Sequence, residues 1–510
     1  MKSKLLIIFL LFVLCLPAIM SLFHPGFFQS DDGEWMIIRF SAFHQALRDG
    51  QFPVRFLQRL NYGYGYPVAD FLYPGFMYLG ETLKLLGFGF TDVVKITLGI
   101  SLVESLIFSY FWLARLFGKW QAFVGALVYL YTPYHLFDVY KRGSVGETLA
   151  LATVPFVLWQ IERKSLLWTG LGIALLVLSH NTLVLLFIPI ILIYGILRSR
   201  NSLFFILYSL FFGLGLSAFF WIPALYDLRY TVFSQIQVSQ WQHYFVGVDM
   251  IGVSTVTIFL IALIQFFRKE IKTTDNRLPI FFFTIGILAL FFAIIVSAPL
   301  WKLLPVSFVQ FPFRFLSITI LSVSFLSAFL LNQFSQKPRV IGIGLLFVLL
   351  SISAKPFVSP VEYFDKGDSF YATNEATTTV QDEYMPVWVK AKPTKHFENK
   401  VEVVKGKGEI SNVFFSAKKT NFTIIAQNNA GVRINTVYFP GWKASLDGKD
   451  MQISYSNENG IIMIDVPHGQ HEVLVSFGET PIRLLGDVVS LLSLVALFAI
   501  KIKRKNVIKI

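Results

Sequence analysis

The sequence predicts a multi-pass α-helical membrane protein that carries an exterior β-sandwich domain near its C-terminus. Of its 510 residues, 55% are hydrophobic and only 15% are charged, and the mean hydropathy is +0.61, which is typical of polytopic membrane proteins. From residue 355 to 480 the long apolar runs stop and short alternating stretches appear between turn signals, as in antiparallel strands. We therefore expect three parts: a transmembrane domain at 1–354, a β-sandwich at 355–480, and a last span with a basic cytoplasmic tail at 481–510.

The basic residues indicate how the chain crosses the plasma membrane. The formal net charge is +13, and pairs of basic residues lie in turns between apolar segments, which favours membrane topology over binding to nucleic acid because cytoplasmic turns are enriched in Lys and Arg. Twelve spans with both termini inside satisfy this rule, provided that the apolar run 71–88 does not cross. The exterior loop 24–92 and the β domain then lie outside. The basic pairs include Arg115 and Lys119, Arg163 and Lys164, and Lys337 and Arg339.

The sequence indicates neither a disulfide nor a cofactor. Residues 4–23 predict an uncleaved first span, because Ala18-Ile19-Met20 lacks the small residues of a signal-peptide cut site. The single cysteine, Cys15, lies in this span, so no disulfide forms within the chain. His468 and His471 share a hairpin-like turn, but no cysteine supports them as metal ligands. A divalent metal is possible and is not indicated.

Three carboxylates follow the first span in the motif Gln29-Ser30-Asp31-Asp32-Gly33-Glu34-Trp35. A carboxylate is costly in hydrocarbon but not at the lipid–water boundary, where it can accept a proton from a hydroxyl or hold a cation. The alternative is helix capping, with Ser30 or Asp31 as the N-cap and Glu34 in the first turn. Our hypothesis is that Asp31 or Asp32 is catalytic, and the sequence leaves the choice open.

The exterior turns of this topology place other polar groups at the same membrane face. Arg142 suits a phosphate because its guanidinium fork matches phosphate oxygens, and Glu147 would orient the phosphate or the acceptor; alternatively, the two form a surface ion pair. His180 either caps a helix or joins the site, and Arg314 either snorkels to the interface or binds a phosphate or lipid headgroup. The predicted catalytic residues are Asp31, Asp32 and Glu147, and the predicted phosphate-binding residues are Arg142, Lys141, His180, Asn181 and Arg314.

Aromatic residues of the exterior segments predict the walls of a substrate cavity. Residues 61–67 read Asn-Tyr-Gly-Tyr-Gly-Tyr-Pro, and this alternation suits a tight aromatic loop at a membrane interface. Its tyrosines are expected to stack on a sugar face. The predicted cavity residues are Arg55, Tyr64, Tyr66, Tyr140 and Trp221.

These stretches also carry a resemblance to a known family. The chain resembles polytopic proteins with the membrane 6-pyruvoyl-tetrahydropterin synthase-related domain, and it is similar to YfhO-like proteins and to GT-C glycosyltransferases. The pterin chemistry of that family name has no support here, because no histidine cluster for zinc is present. The matching segments are 50–55, 63–67, 132–134, 140–143 with Glu147, 179–181, 219–223 and 310–314, and in the exterior domain 439–443, 447–449 and 466–471.

The resemblance implies a GT-C-like fold and a glycosyltransferase activity. Such enzymes move a sugar from a polyprenyl-phosphate carrier to an acceptor, here an exterior envelope glycan, lipid or protein, and by position Asp31 or Asp32 would be the general base. Two alternatives remain. A transporter or flippase would place charges near the bilayer midplane, and a non-catalytic envelope scaffold would use the β domain to bind glycans.

Overall fold

The computed structural model describes residues 2–198, 203–235, 241–268, 275–304 and 307–507. Most of these residues are helical up to residue 354, and the strands gather near the C-terminus. The helices, numbered in chain order, are α1 Lys2–Ile19, α2 Gly33–Arg48, α3 Gly75–Leu85, α4 Phe90–Leu116, α5 Lys119–Tyr131, α6 Pro133–Phe137, α7 Val145–Glu162, α8 Leu166–Ser179, α9 Asn181–Arg198, α10 Leu203–Leu216, α11 Ala218–Asp227, α12 Val248–Ile251, α13 Val253–Arg268, α14 Arg277–Ala293, α15 Ala298–Leu303, α16 Leu316–Gln333, α17 Gln336–Ala354, α18 Gly367–Thr373 and α19 Pro481–Val507.

The helices have the length and composition of a multi-pass membrane protein. Among the described residues, six helices are long and apolar enough to cross a membrane, or up to eight if two bent pairs each count as one span. The predicted total of twelve spans is not confirmed. Several of the expected spans are short helices, such as α5 with 13 residues and α8 with 14. At 1.5 Å per residue these rise only about 20 Å, against about 30 Å of hydrocarbon.

The segment 24–92, which we call the exterior loop after its predicted side, is built around two helices. The segment 71–88, expected not to cross, contains the 11-residue α3, whose rise of about 16 Å is too short for a span. Helix α2 begins within the acidic motif, at Gly33, and the Ser30 hydroxyl oxygen accepts a hydrogen bond from the backbone N–H of Gly33 at 3.2 Å. The N-cap is Asp32, whose side chain makes no capping hydrogen bond, so Ser30 satisfies a helix N–H from one turn before the helix instead of serving as the N-cap. Helix α2 buries Phe40 and Phe43, so it is part of the core of the loop.

The C-terminal β-sheet region predicted from period-two alternation is confirmed. Eight strands form two antiparallel sheets, in the orders β4-β5-β10-β7-β8 and β3-β6-β9, and buried side chains such as Ile424 and Val475 of one sheet and Ile434 and Ile462 of the other belong to one core. A further pair, β1 with β2, joins the acidic loop to the segment after α17. The strands are β1 Phe27–Phe28, β2 Tyr363–Phe364, β3 Val401–Lys405, β4 Gly408–Phe415, β5 Lys419–Ala426, β6 Ala430–Val437, β7 Trp442–Leu446, β8 Lys449–Met451, β9 Ile461–Val466 and β10 Gly469–Phe477.

A buried ion network fixes the β domain to the helices. Arg483, in the first turn of α19, contacts Asp227 of α11 at 2.8 Å and Asp70 of the exterior loop at 3.4 Å. Its Nη1 also donates to the carbonyl of Pro440 in the β domain at 2.9 Å. All three charged side chains are almost fully buried. The domain is therefore held by buried charges as well as by its chain connections.

Candidate functional site

A short backbone pairing sets the acidic motif beside the turn that carries Arg142. The N–H of Asp31 donates to the carbonyl of Lys141 at 3.0 Å, and the N–H of Asp32 donates to that of Arg142 at 2.8 Å. The turn is a π-helical segment, Asp138–Arg142, that ends at Gly143 with φ +64°. A Cβ on Gly143 would lie 2.8 Å from the Gly33 nitrogen. The close approach therefore requires glycine at this position.

Glu147 is the centre of a buried cluster of charges. Its Oε1 lies 2.5 Å from Nη1 of Arg142 and 2.8 Å from Nε of Arg314, and its Oε2 accepts a hydrogen bond from the Tyr134 hydroxyl at 2.9 Å. The Glu147 side chain is fully buried. Because a buried charge is costly unless it is paired and hydrogen-bonded, these partners are what allow a carboxylate to remain here.

Aromatic rings enclose the two arginines from the side of the 310–314 segment. The guanidinium of Arg142 lies 5.0 Å from the ring centre of Phe313 and 5.5 Å from that of Phe311, and the guanidinium of Arg314 lies 4.8 Å from that of Phe311. Nη1 of Arg314 also donates to the side-chain oxygen of Gln310 at 2.5 Å. Cation–π contacts of this kind add to the ion pairs. They also leave the Asp32 side of Arg142 as the less covered one.

Asp32 lies at the exposed edge of the cluster. Its Oδ2 is 2.8 Å from Nη2 of Arg142, and its side chain is 31% exposed. Arg142 is its one side-chain partner among the described residues. Asp31 lies further out: its side chain is 54% exposed and 3.9 Å from Nζ of Lys141, which is 60% exposed. Burial raises the pKa of Asp31, against the lowering effect of the charges on Lys141 and Arg142.

His180 contributes an uncharged ring to the buried side. Its Nδ1 accepts the N–H of Leu183 at 3.3 Å, so the proton of the neutral ring is on Nε2, 3.6 Å from Glu147. Burial lowers the pKa of His180 to about 3, which keeps the ring neutral at physiological pH. Its neighbour Asn181 donates to the carbonyl of Phe71 at 2.9 Å and so holds the exterior loop.

The five residues expected to line a substrate cavity make packing contacts elsewhere. Arg55 joins the network around Asp70, contacting Asp487 at 3.2 Å and Glu479 at 3.5 Å. The Tyr66 hydroxyl binds the Thr379 hydroxyl at 2.9 Å and is buried. Tyr64 packs edge-to-face against Phe397, with ring centres 5.4 Å apart. The Tyr140 hydroxyl donates to the carbonyl of Ala18 at 2.6 Å, and the Trp221 indole N–H donates to the carbonyl of Leu214 at 2.8 Å.

Two residues near the cluster were not identified from the sequence. Asp138 is fully buried with Oδ1 3.5 Å from Nη1 of Arg142, and burial together with the charge of Glu147 raises its pKa well above the ordinary range. Its spacing four residues before Arg142 on one turn was the available signal. Arg39 of α2 is buried and donates to the Thr378 carbonyl at 2.6 Å; no carboxylate of the described residues forms an ion pair with it, but the charge of Asp32 acts on it from further away. A basic residue between Ile38 and Phe40 in an apolar run was the signal there.

The carboxylates of the cluster face arginines. Within the described ranges, no group of three or more His, Cys, Asp or Glu side chains is placed to hold a metal ion. Asp32 and Glu147 pair with Arg142 and Arg314, while burial raises the pKa of Asp138 and lowers that of His180. The site therefore presents a carboxylate at its mouth and two paired guanidinium groups behind it.

Comparison with known proteins includes a distant structural likeness. No protein-family model and no curated protein matches the chain, so the resemblance to YfhO-like and pterin-synthase-related proteins is not confirmed. The cryo-EM structure of the arabinofuranosyltransferase AftD from Mycobacteria is similar, with 15% sequence identity and a TM-score of 0.48 over 71% of this chain. The chain spans only 28% of that protein. What the site can do chemically therefore rests on its own side chains.

Proposed function

We propose that this protein is a membrane glycosyltransferase of the GT-C type, which moves a sugar from a polyprenyl-phosphate carrier to an exterior acceptor with Asp32 as the general base. The observation that carries the proposal is the contact between Asp32 Oδ2 and Arg142 Nη2 at 2.8 Å at the exposed edge of a buried cluster. A carboxylate able to take a proton and a cation shaped for phosphate oxygens are thus adjacent. Such a pair fits a reaction in which a phosphate leaves and a hydroxyl attacks.

In the proposed reaction, Asp32, Arg142 and Glu147 each have one role. The acceptor hydroxyl oxygen attacks the anomeric carbon and forms the new glycosidic bond, while its proton passes to Asp32. The bond from the anomeric carbon to the phosphate oxygen breaks, and its electron pair stays on the polyprenyl phosphate. Arg142 stabilises the charge that develops on that phosphate. Glu147 acts through Arg142 and Arg314 as a positioning residue, since it is fully buried.

Asp32 is the better candidate of the two adjacent aspartates. Its carboxylate lies 2.8 Å from Arg142, the residue assigned to the leaving phosphate, so a hydroxyl that Asp32 deprotonates is close to the donor, and such proximity favours the reaction. Asp31 is 54% exposed and has only a 3.9 Å contact to Lys141. We assign Asp31 and Lys141 to the outer edge, where an acceptor or the lipid headgroup enters. The β domain, held over the exterior loop, would position the acceptor on the exterior side.

The test compares three Asp or Glu variants of one segment in membranes that express the full chain. Asp32→Asn should lower sugar transfer by about 10²–10⁴-fold, the usual contribution of a general base. Asp31→Asn should retain most of it. Glu34→Gln is the matched control, because Glu34 is 28% exposed and pairs with Lys366 instead of an arginine of the cluster. Incorporation of label from polyprenyl-phosphate sugars into envelope material is measured, and wild-type transfer by Asp32→Asn would exclude this mechanism.

The saturation of the arginines favours a second candidate, the non-catalytic scaffold. Both Arg142 and Arg314 contact Glu147 within 2.8 Å. A network whose only role is to hold α2, α7 and the turn before α16 together would have the same contacts. In that case Asp32→Asn would lower the thermal stability of the protein and leave the envelope glycans unchanged. The glycosyltransferase proposal expects the reverse: altered glycans at nearly unchanged stability.

A further inference from the structure

We propose that Asp32 competes with the donor phosphate for Arg142, so that arrival of the phosphate releases Asp32 to act as the base. This inference rests on the proposed function, because it takes the phosphate of the donor as the incoming anion. It goes beyond the proposed function because it requires the contact between Asp32 and Arg142 in the free protein to break before the reaction. The device is a carboxylate that occupies the anion site until the substrate anion replaces it.

Arg142 has three carboxylates within 3.5 Å, and only Asp32 can exchange. Glu147 is fully buried and is held by Arg314 at 2.8 Å and by the Tyr134 hydroxyl at 2.9 Å as well as by Arg142, and Asp138, 3.5 Å from Arg142, is also fully buried. Asp32 is 31% exposed and makes no other side-chain hydrogen bond or ion pair in the part of the chain that the structure describes. Displacing Glu147 from Arg142 would take one of two guanidinium partners from a fully buried carboxylate, which is strongly unfavourable. Displacing Asp32 moves a partly exposed carboxylate toward water.

The direction of approach also selects Asp32. The rings of Phe311 and Phe313 lie 5.5 and 5.0 Å from the guanidinium of Arg142, and Glu147 occupies its Nη1. The Nη2 edge, which Asp32 occupies, is the one next to the exposed Asp31 and Lys141. A phosphate entering from the membrane interface therefore meets Nη2 first. Its oxygens form charge-assisted hydrogen bonds of the same kind as those of a carboxylate.

The exchange links donor binding to the availability of the base. While Arg142 is paired with Asp32, the carboxylate oxygen Oδ2 is engaged by Nη2 at 2.8 Å. Once the phosphate takes Nη2, both oxygens of Asp32 are free to accept a hydrogen bond from the acceptor hydroxyl. The hydroxyl therefore meets a free carboxylate only beside a bound sugar.

The inference makes a prediction that a simple catalytic role does not make. Asp32→Asn removes the competitor, so the full-length protein in detergent should bind farnesyl phosphate about 2- to 5-fold more tightly, as expected for loss of a partly exposed ion pair. Isothermal titration measures this dissociation constant. Glu34→Gln removes a similarly exposed carboxylate that pairs with Lys366 and should leave the constant unchanged. Binding of farnesol measures the contribution of the isoprenoid tail without a phosphate. Binding of inorganic phosphate shows whether the site takes a free anion as well as a lipid headgroup.

The outcomes separate this inference from the proposed function. If Asp32→Asn and Asp32→Ser both bind farnesyl phosphate with an unchanged or larger dissociation constant, the competition is overturned. If those variants also lose sugar transfer, the proposed function still stands. Tighter binding of inorganic phosphate but not of farnesyl phosphate supports the competition and overturns the lipid donor. If Arg142→Gln binds farnesyl phosphate as the wild type does, Arg142 is not the anion site and both proposals fail. The melting temperature of each variant is recorded to establish that it is folded.

Discussion

Asp31 and Asp32 are neighbours with the same side chain and different surroundings, because one backbone pairing fixes where each points. The hydrogen bonds to the carbonyls of Lys141 and Arg142 align the two aspartates with the next exterior turn. Lys141 is exposed, so Asp31 lies near a solvated ammonium group. Arg142 is buried, and its ion pair with Asp32 holds that carboxylate against the buried cluster. At the scale of single residues, chemistry thus follows from which residue of a turn is buried.

The same reasoning predicts a large stability effect at Glu147. Glu147→Gln removes the charge that compensates Arg142 and Arg314, and losing one partner of a buried ion pair typically costs about 3–5 kcal/mol. Tyr134→Phe is the control, since it removes a single hydrogen bond to the same carboxylate and should cost about 1 kcal/mol. Thermal unfolding in detergent measures both. Equal melting temperatures for the two variants would show that Glu147 is not the ionised centre of the cluster.

At the scale of elements, the π-helical turn before α7 determines the position of Arg142. Gly143→Ala places a Cβ 2.7 Å from the Ser30 hydroxyl oxygen and 2.8 Å from the Gly33 nitrogen, at a φ that costs an L-residue about 1–2 kcal/mol by itself. Gly87→Ala is the matched control: Gly87 also has a positive φ, and nothing lies within 4 Å of its added Cβ.

We expect Gly87→Ala to lose only the stability that a positive φ costs an L-residue, about 1–2 kcal/mol, and to keep sugar transfer. Gly143→Ala should lose more stability and also sugar transfer, because the collision separates the acidic motif from Arg142. Label incorporation and melting temperature are measured together. A Gly143→Ala protein with the stability and transfer of Gly87→Ala would show that the pairing of the two turns is not required.

We predict that the contact between the β domain and the exterior loop depends on pH. Lys400, just before β3, is buried and donates to the carbonyls of Asn435 at 2.6 Å and of Gly63 at 3.4 Å, and burial lowers its pKa to about 7. An unfolded chain keeps this lysine protonated up to about pH 10.4. Between these two pH values the unfolded state binds more protons, so the free energy of unfolding rises with pH.

The expected slope is at most about 1.4 kcal/mol per pH unit, and it disappears when the amine is removed. Lys400→Met keeps the apolar stem, so the gap in melting temperature between variant and wild type should shift in favour of the wild type from pH 7 to pH 10. Melting curves of the full-length proteins across this range measure the effect. Parallel curves for the two proteins would contradict a buried amine with a lowered pKa.

At the scale of the whole molecule, the sequence predicts faces and sides better than partners. Apolar runs located the helices and alternation located the sheet region, because burial imposes those periods on any sequence. The topology placed Asp32, Arg142, Glu147 and Arg314 at one membrane face, and the structure brings them into contact across 110 and 167 positions of the chain. Tyr66 shows the limit: an aromatic residue in a glycine-rich loop reads the same whether it faces a substrate or a neighbouring segment.

The ion network around Arg483 could not be predicted from sequence patterns either, because a pattern does not show which distant segment a side chain contacts. Its acidic partners come from the exterior loop and α11, more than 250 residues earlier in the chain, and no spacing relates them. Charges at the ends of apolar helices are usually explained by snorkelling. Here the guanidinium is instead fully buried and rests against the rings of Phe439 and Phe477 at 5.4 and 5.3 Å.

This network makes the attachment of the β domain testable. Arg483→Met leaves Asp227 without its cation and Asp70 with only the 3.6 Å contact to Arg55, so we expect a loss of about 3–5 kcal/mol that is confined to the junction. Hydrogen exchange should speed up in the turn at Pro440 and in the first turn of α19, and it should stay slow around Glu147. Arg433→Gln, which breaks a surface pair with Glu402, is the control and should change little.

A double variant decides whether the loss arises from the unpaired charges. If it does, adding Asp227→Asn to Arg483→Met should restore part of the protection of the amides that flank Pro440, because one uncompensated carboxylate is removed and the two effects are not additive. Additive losses would mean that Arg483 acts through packing on Phe439. Faster exchange around Glu147 in Arg483→Met would instead show that the junction and the candidate site are coupled, and the β domain would then be part of the machinery that positions Arg142.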